Sequence, residues 1–546
     1  MKRRDSPGPP FLKIPLVSIE YSFFRNTHLK VIKIGLFGQI GVDDCLRMIG
    51  TISMYYPFLP QPVRKLLDSL MNSSTDLHEF MGRLRSVVSK ADAAESLVHI
   101  AAFLAYYLDD IDMTHTIATE HRNLLSAKPW ALLERDSMHA ENHDQLIAID
   151  KLLTSDPEDW IALKAHLLKA AILYLVPQSY DSLQSAGEIL DANPKLDCFR
   201  DWYYLTQILL RRYEGDIELV SLLREKALNK SREYDDPVSE IAILMQQTEF
   251  MMNVDVARAM EFTQRAYELA EELGMANLKI KAVQGVGMVS TVLGEYDLAL
   301  HSWIESVEDL QKRGIPECHS YIRIAQLYAD LGDGMNAFEW ARMAMEVDEK
   351  AAKYGGLDDH ICPNVAMAHA AIVANKLDEA ETYIEKSHEI ALRSGQELLL
   401  SMYYYIQGLY EITLGDASSG QDTLARALEI CDRTGGHPAH MNRCLIGLTK
   451  AEIDLFDTQV RSDTDPSDSG PHMARLENES RKRGMQGIQM QHALLKAKFQ
   501  EKLGKTDLAM ETLEYALSTH DSPGVRTLRN QILDKIRDIK ERPLSP

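Results

Sequence analysis

Leu293-Gly294-Glu295-Tyr296-Asp297-Leu298-Ala299-Leu300-His301-Ser302-Trp303-Ile304-Glu305-Ser306 reads as a tight turn feeding a helix, and its spacing decides the fold. Gly294, Ala299, Trp303 and Ser306 stand at offsets 0, 5, 9 and 12. The same offsets carry Gly332, Ala337, Ala341 and Ala344, then Asn375, Ala380, Ile384 and Ser387. They return at Gly415, Gly420, Leu424 and Ala427, and again at Gly504, Ala509, Leu513 and Ala516. A fixed pattern of mostly small residues at a fixed period is the mark of a repeat array.

Working outward, the turn positions Gly215, Val254, Gly294, Gly332, Asn375, Gly415 and Gly504 are separated by 39, 40, 38, 43, 40 and 89 residues, the last being two periods. A second register runs through Gly274, Gly314, Gly355, Gly395 and Gly435 in steps of 40, 41, 40 and 40. Glycine suits the end of a helix, where the chain commonly enters the left-handed region. The next such glycine, Gly484, comes 49 residues on, and the polar run from Ser462 to Pro471 accounts for the excess as a loop insertion into one repeat.

The 546 residues are too many for one compact core, so several domains or one extended array are expected. At 45% hydrophobic and 26% charged the chain lies in the ordinary globular range. A net charge of −22 and a pI of about 5.3 argue against general phosphate-backbone binding, so no nucleic-acid partner is expected. No run of 18 apolar residues occurs, which predicts no membrane span. The six cysteines are scattered without a C-x-x-C and read as reduced, mostly buried small hydrophobes, which places the chain in the cytoplasm.

Residues 1–12 read as a disordered basic leader. Over 13–37 the alternation of Val17, Ile19, Tyr21 and Phe23, followed by Val31, Ile32 and Ile34, suits a small β-hairpin or an unpaired leader. From Asp43 the period is helical; in Ala93–Leu108 the residues Leu97, Ile100, Ala101 and Leu104 share one face. The region 13–155 is thus a possible hairpin followed by helices, either degenerate repeats or a separate domain. The repeat array is assigned to 156–524, and a C-terminal capping helix and tail to 525–546.

The unit resembles a tetratricopeptide repeat, a helix–turn–helix with a small residue on its first helix. That residue stands seven positions before the turn at Gly287, Ala325, Ala368, Gly408 and Ala497. Leu331-Gly332-Asp333 and Leu293–Asp297 match the family's turn. The large aromatic four residues before the turn survives only as Tyr328, and the period is nearer 40 than 34, as in the family's long-repeat variety. The resemblance covers about 200–520 and implies an all-α solenoid, a superhelix with a concave groove. Ligand-facing residues in that family come from the first helix of each unit. Position by position these are Lys281, Gln284, Met288 and Val292, then His319, Ile322, Arg323, Gln326 and Asp330, then Cys362, Val365, His369 and Val373, then Met402, Tyr405, Ile406, Leu409 and Thr413. Apolar centres with Arg323, Gln326 and His369 as polar handles suit an amphipathic helix or an extended peptide.

Chemistry-bearing motifs are weak. His139 and His143 lie one helical turn apart but belong to a polar face. His437-Pro438-Ala439-His440 reads as a capping turn, and Asp109-Asp110-Ile111-Asp112 as an acidic helix end. Gly35-x2-Gly38-x2-Gly41 lacks the Lys-Ser/Thr of a phosphate loop. No catalytic, metal or cofactor residues are assigned. The sequence therefore predicts a non-enzymatic protein–protein interaction scaffold or adaptor. One alternative is a regulatory protein whose array senses a small ligand; another is an enzyme with a nucleotide or metal site in 1–150.

Overall fold

In a computed structural model the chain divides into two units, Met1–Gln39 and Ile40–Pro546. The structure describes residues 61–74, 77–90, 97–98, 101, 142–154, 157–173, 178–211, 217–234, 236–312, 318–352, 361–394, 397–434, 436–456 and 470–541. All of these lie in the second unit. The basic leader, the candidate hairpin over 13–37, the Gly35–Gly41 loop and the acidic run 109–112 fall outside them, as does the polar insertion up to Ser469.

Among the described residues the architecture is all-α. Two short helices, α1 (Gln61–Asn72) and α2 (Leu77–Val88), are followed by α3 (Asn142–Leu153), α4 (Asp159–Ile172) and α5 (Gln178–Ala192). A 3-10 segment over Pro194–Phe199 leads into α6 (Arg200–Arg211), α7 (Ile217–Glu233), α8 (Pro237–Val254) and α9 (Val256–Glu272). The array then runs α10 (Ala276–Leu293), α11 (Tyr296–Lys312), α12 (His319–Asp330), α13 (Gly334–Ala352), α14 (Ile361–Val373) and α15 (Leu377–Ser394). It continues through α16 (Glu397–Thr413), α17 (Ala417–Thr434), α18 (Pro438–Leu455), α19 (Pro471–Lys482), α20 (Gln486–Lys502), α21 (Thr506–Thr519) and α22 (Arg526–Glu541). Each helix packs chiefly on its sequence neighbours, and even-numbered helices also touch one another from α12 through α20. This is the tetratricopeptide-like solenoid that the period implied.

The turns repeat a single hydrogen-bond pattern. The Glu295 amide donates to the Ser290 carbonyl at 2.8 Å, Asp333 to Tyr328 at 2.8 Å, and Lys376 to Ala371 at 2.8 Å. Asp416 to Glu411 at 3.0 Å and Lys505 to Gln500 at 2.9 Å follow the same rule. This six-to-one closure satisfies carbonyls that the last helical turn leaves open, and it requires a left-handed residue, here Gly294 at φ 74° and Asn375 at φ 58°. Helix starts are equally legible. Asp236 accepts from the amides of Val238 and Ser239, with Pro237 opening α8, and His437 accepts from the Ala439 amide ahead of α18.

Inside each pair the small residues set the helix separation. A side chain at Gly287 would strike the Trp303 ring at 2.7 Å, and Trp303 is completely buried. Gly408 meets Leu424 in the same way three repeats further on. The apolar faces that result are shared from pair to pair, so one cluster joins Met252 and Val289 to Tyr405, Leu448 and Phe499.

The array also meets itself. α10 touches both α18 and α20, and α11 touches Pro523–Val525 and α22. Tyr296 Oη lies 3.3 Å from Gln491 Oε1, 195 residues away in sequence. The backbones of Gly294 and Gly487 approach so closely that a Cβ on Gly487 would collide with the Gly294 carbonyl oxygen. Asp297 accepts from the Thr527 amide at 2.9 Å and from its hydroxyl at 2.6 Å, while the Ser522 hydroxyl donates to Glu295 at 2.9 Å. Five repeats of about 40 residues therefore complete a turn, and the turn 294–297 is where it closes.

Candidate functional site

Closure brings the first helices of successive pairs, α10 through α20, around one central face. Arg443 on α18 crosses that face to Asp330 at the end of α12. Its Nε lies 2.8 Å and its second terminal nitrogen 2.7 Å from Asp330 Oδ2. Both side chains are under a tenth exposed, so the pair is a buried bidentate contact. The Asp330 carboxylate beside it outweighs burial and holds the Arg443 guanidinium firmly protonated.

The residues expected on the concave face divide into two groups. His369, Tyr405 and Leu409 line a pocket of about 200 Å³ together with Asp330, Arg443, Thr413 and Gln491. Tyr405 Oη lies 3.3 Å from His369 Nε2, with the two rings edge to face. Burial lowers the His369 imidazole to about pH 4; the Asp330 charge opposes this shift, and Arg443 and Lys450 add to it. Burial likewise pushes the Tyr405 phenol well above its ordinary value. Both rings are therefore neutral and serve as hydrogen-bonding groups near pH 7.

The remaining expected residues connect repeats. Gln284 donates to Ser306 Oγ at 3.0 Å and Ser320 Oγ at 3.2 Å, tying α10 to α11 and α12. Met288 packs between two apolar clusters, and Ile322 and Ile406 are buried within them. Arg323 donates to His319 at 3.4 Å and to Gln326 at 3.3 Å, and Gln326 also accepts from Arg443 at 3.5 Å. Gln326 thus supports the Arg443–Asp330 pair from the side.

Asp330 was visible from its register on the first helix of its repeat. Arg443 and Lys450 on α18 were not, because the turn that follows α18 carries the polar insertion and no turn glycine sets their register. Gln491 stands 13 residues before the regular turn at Gly504, the offset of His319 before Gly332, but no local spacing shows that α20 returns to this face.

The geometry offers a small mixed-polarity recess with a cation, an anion, an imidazole and a phenol. Such a set can orient one polar or aromatic group by hydrogen bonds and charge. About 200 Å³ is below the usual size of a drug-ligand pocket, and roughly seven water molecules' worth of liquid volume.

No protein-family model matches the chain, and neither does any curated protein. Among solved structures the chain is similar to NprR in complex with its cognate peptide NprX, at 14% identity and a TM-score of 0.40, covering 61% of this chain and 98% of that one. It is also similar to a Rap protein complexed with competence and sporulation factor, at 12% identity and a TM-score of 0.37, covering 70% and 98%. A third likeness is to yeast Tom70, at 14% identity and a TM-score of 0.32, covering 77% and 96%. At these identities and scores the likenesses say nothing about a ligand.

Proposed function

We propose that the chain is a non-catalytic interaction scaffold of the long-repeat tetratricopeptide variety, acting in the cytoplasm. Its inner face reads a short segment of a protein partner by one anchor side chain. The observation that supports this reading is the pocket itself, where His369, Tyr405 and Leu409 converge with Asp330 and Arg443. A recess of about 200 Å³ takes one or two side chains rather than a whole helix. Affinity beyond that anchor comes from the exposed rim around Thr413. The unbridged sulfurs of Cys362, Cys431 and Cys444 support the reducing compartment. None of the described helices is long and apolar enough to cross a membrane.

The test is selection of peptides displayed against the full chain, followed by binding to Thr413→Arg and Leu409→Arg variants. Thr413 is exposed, so its long cation blocks the mouth without entering the core, whereas Leu409 packs half-buried against the apolar cluster. Selected peptides should bind both variants at least about tenfold more weakly, and Thr413→Arg should keep an unchanged melting temperature. Peptides that bind the blocked chain as well as the unblocked one would sink the reading.

A second reading, a small polar ligand held in the same recess, is favoured by the paired charges of Arg443 and Asp330 on its wall. It predicts that a low-molecular-weight metabolite fraction raises the melting temperature of the unmodified chain but not of Thr413→Arg.

A further inference from the structure

Among the described residues, two cysteines and a histidine converge on one point. Cys431, His440 and Cys444 each offer a donor atom, and these atoms lie within 4.8 Å of one another. The local sequence explains why. Cys431 stands in the last turn of α17, and Gly436 brings the chain back over it, its amide donating to the Cys431 carbonyl at 2.9 Å. A Cβ on Gly436 would sit 3.0 Å from Cys431 Sγ, so this close return is made by a residue without a side chain. Pro438 then opens α18, and His440 and Cys444, four residues apart, fall on one face of it.

Ser401 on α16 completes the cluster. Its hydroxyl donates to the Ala427 carbonyl at 2.9 Å. With that proton engaged, the oxygen turns its lone pairs toward Cys431 Sγ at 3.1 Å and His440 Nε2 at 3.0 Å. Both cysteines are fully buried, and His440 is the member that reaches toward solvent.

We propose that Cys431, His440 and Cys444 form a binding site for a thiophilic d10 cation, Zn2+, with Ser401 Oγ as the fourth donor. Two sulfurs, one imidazole and one oxygen is a tetrahedral zinc set. With Zn–S near 2.3 Å and Zn–N near 2.0 Å, the tetrahedral edges come to about 3.8 Å between sulfurs and about 3.5 Å between sulfur and nitrogen. The cluster needs to contract by no more than about 1.0–1.3 Å from its 4.8 Å limit to reach them. On binding, each thiol releases its proton, and the two thiolates cancel the dication, so no net charge is left buried. The ion would pin α16, α17 and α18 at a single point. The Tyr405 ring, its centroid 5.4 Å from that of His440 in an edge-to-face contact, joins that point to the inner pocket.

The experiment uses the reduced full chain, freed of metal and titrated with Co2+ and then Zn2+. About one Co2+ per chain should bind, giving a sulfur-to-cobalt charge-transfer band and four-coordinate visible absorption, which Zn2+ then bleaches. Cys431→Ser and Cys444→Ser should each weaken binding by more than about a hundredfold, more than a typical outer-shell change, and Ser401→Ala by about tenfold. Cys318→Ser should leave it unchanged. On the unmutated chain Zn2+ should raise the melting temperature and a chelator should reverse it, a reading that needs no variant to fold. No charge-transfer band, uptake that persists in the Cys431→Ser/Cys444→Ser chain, or a melting temperature indifferent to Zn2+ would each overturn the site.

Discussion

Arg443 and Asp330 hold together two repeats more than a hundred residues apart through a contact sealed from solvent. A buried pair contributes little over an apolar replacement, yet losing one partner strands the other charge. Arg443→Ala should therefore destabilise the chain by about 3–5 kcal/mol in urea unfolding, while Arg443→Met combined with Asp330→Leu should recover most of the loss. A cost below about 1 kcal/mol for Arg443→Ala would show that the pair does not hold the closure. His369 makes a separate prediction at this scale. In the folded chain it stays neutral down to about pH 4, whereas an unfolded imidazole takes a proton near pH 6.5. Between those values the unfolded state binds the extra proton, so stability falls as pH drops. At pH 4 the loss from this residue is roughly 3 kcal/mol. His319 and His437, lowered by burial to about 3, act in the same direction. His369→Gln should flatten the decline between pH 6.5 and 4 in denaturation midpoints, and an unaltered slope would refute the assignment.

At the scale of elements, the same turn does two different jobs. At Gly332 and Gly504 it faces open space, and only its left-handed backbone restricts the residue. At Gly294 it lies against the backbone at Gly487 and Ile488. Gly504→Ala should thus cost about 1 kcal/mol from backbone strain alone. Gly487→Ala has ordinary helical geometry but no room at the Gly294 carbonyl, so α20 must move off α10. Gly487→Ala should enlarge the radius of gyration by small-angle scattering and expose Tyr296 and Gln491 to hydrogen exchange, whereas Gly504→Ala should do neither. Equal behaviour of the two variants would remove the closure from the account.

For the whole molecule, the repeat was legible because its determinants are local. Gly287 meets Trp303 within one helix pair, and Ala325, Ala337 and Ala341 meet across a single turn, so each contact leaves a mark at a fixed offset. The curvature was not legible. It is set by small rotations summed over five pairs, and its result, Tyr296 against Gln491, carries no period at all. The inner-face register includes His369, Tyr405 and Leu409, which line the recess, but it could not show that α18 and α20 return to close that face. Cys431, His440 and Cys444 were passed over for a related reason. Each fits a buried or capping role alone, and only the return of the chain at Gly436 gives their spacing a shared purpose.

The closing contacts also impose an order on synthesis. Tyr296 leaves the ribosome 195 residues ahead of Gln491, which at about 5–20 residues per second is an interval of about 10–40 s. Asp330, His369 and Tyr405 emerge within it, 34, 73 and 109 residues after Tyr296, and from then on stand on an open arc facing water. Any segment longer than the finished recess admits has its easiest access to the inner face during that window, before Ser522 and Thr527 reach Glu295 and Asp297 and shut it in.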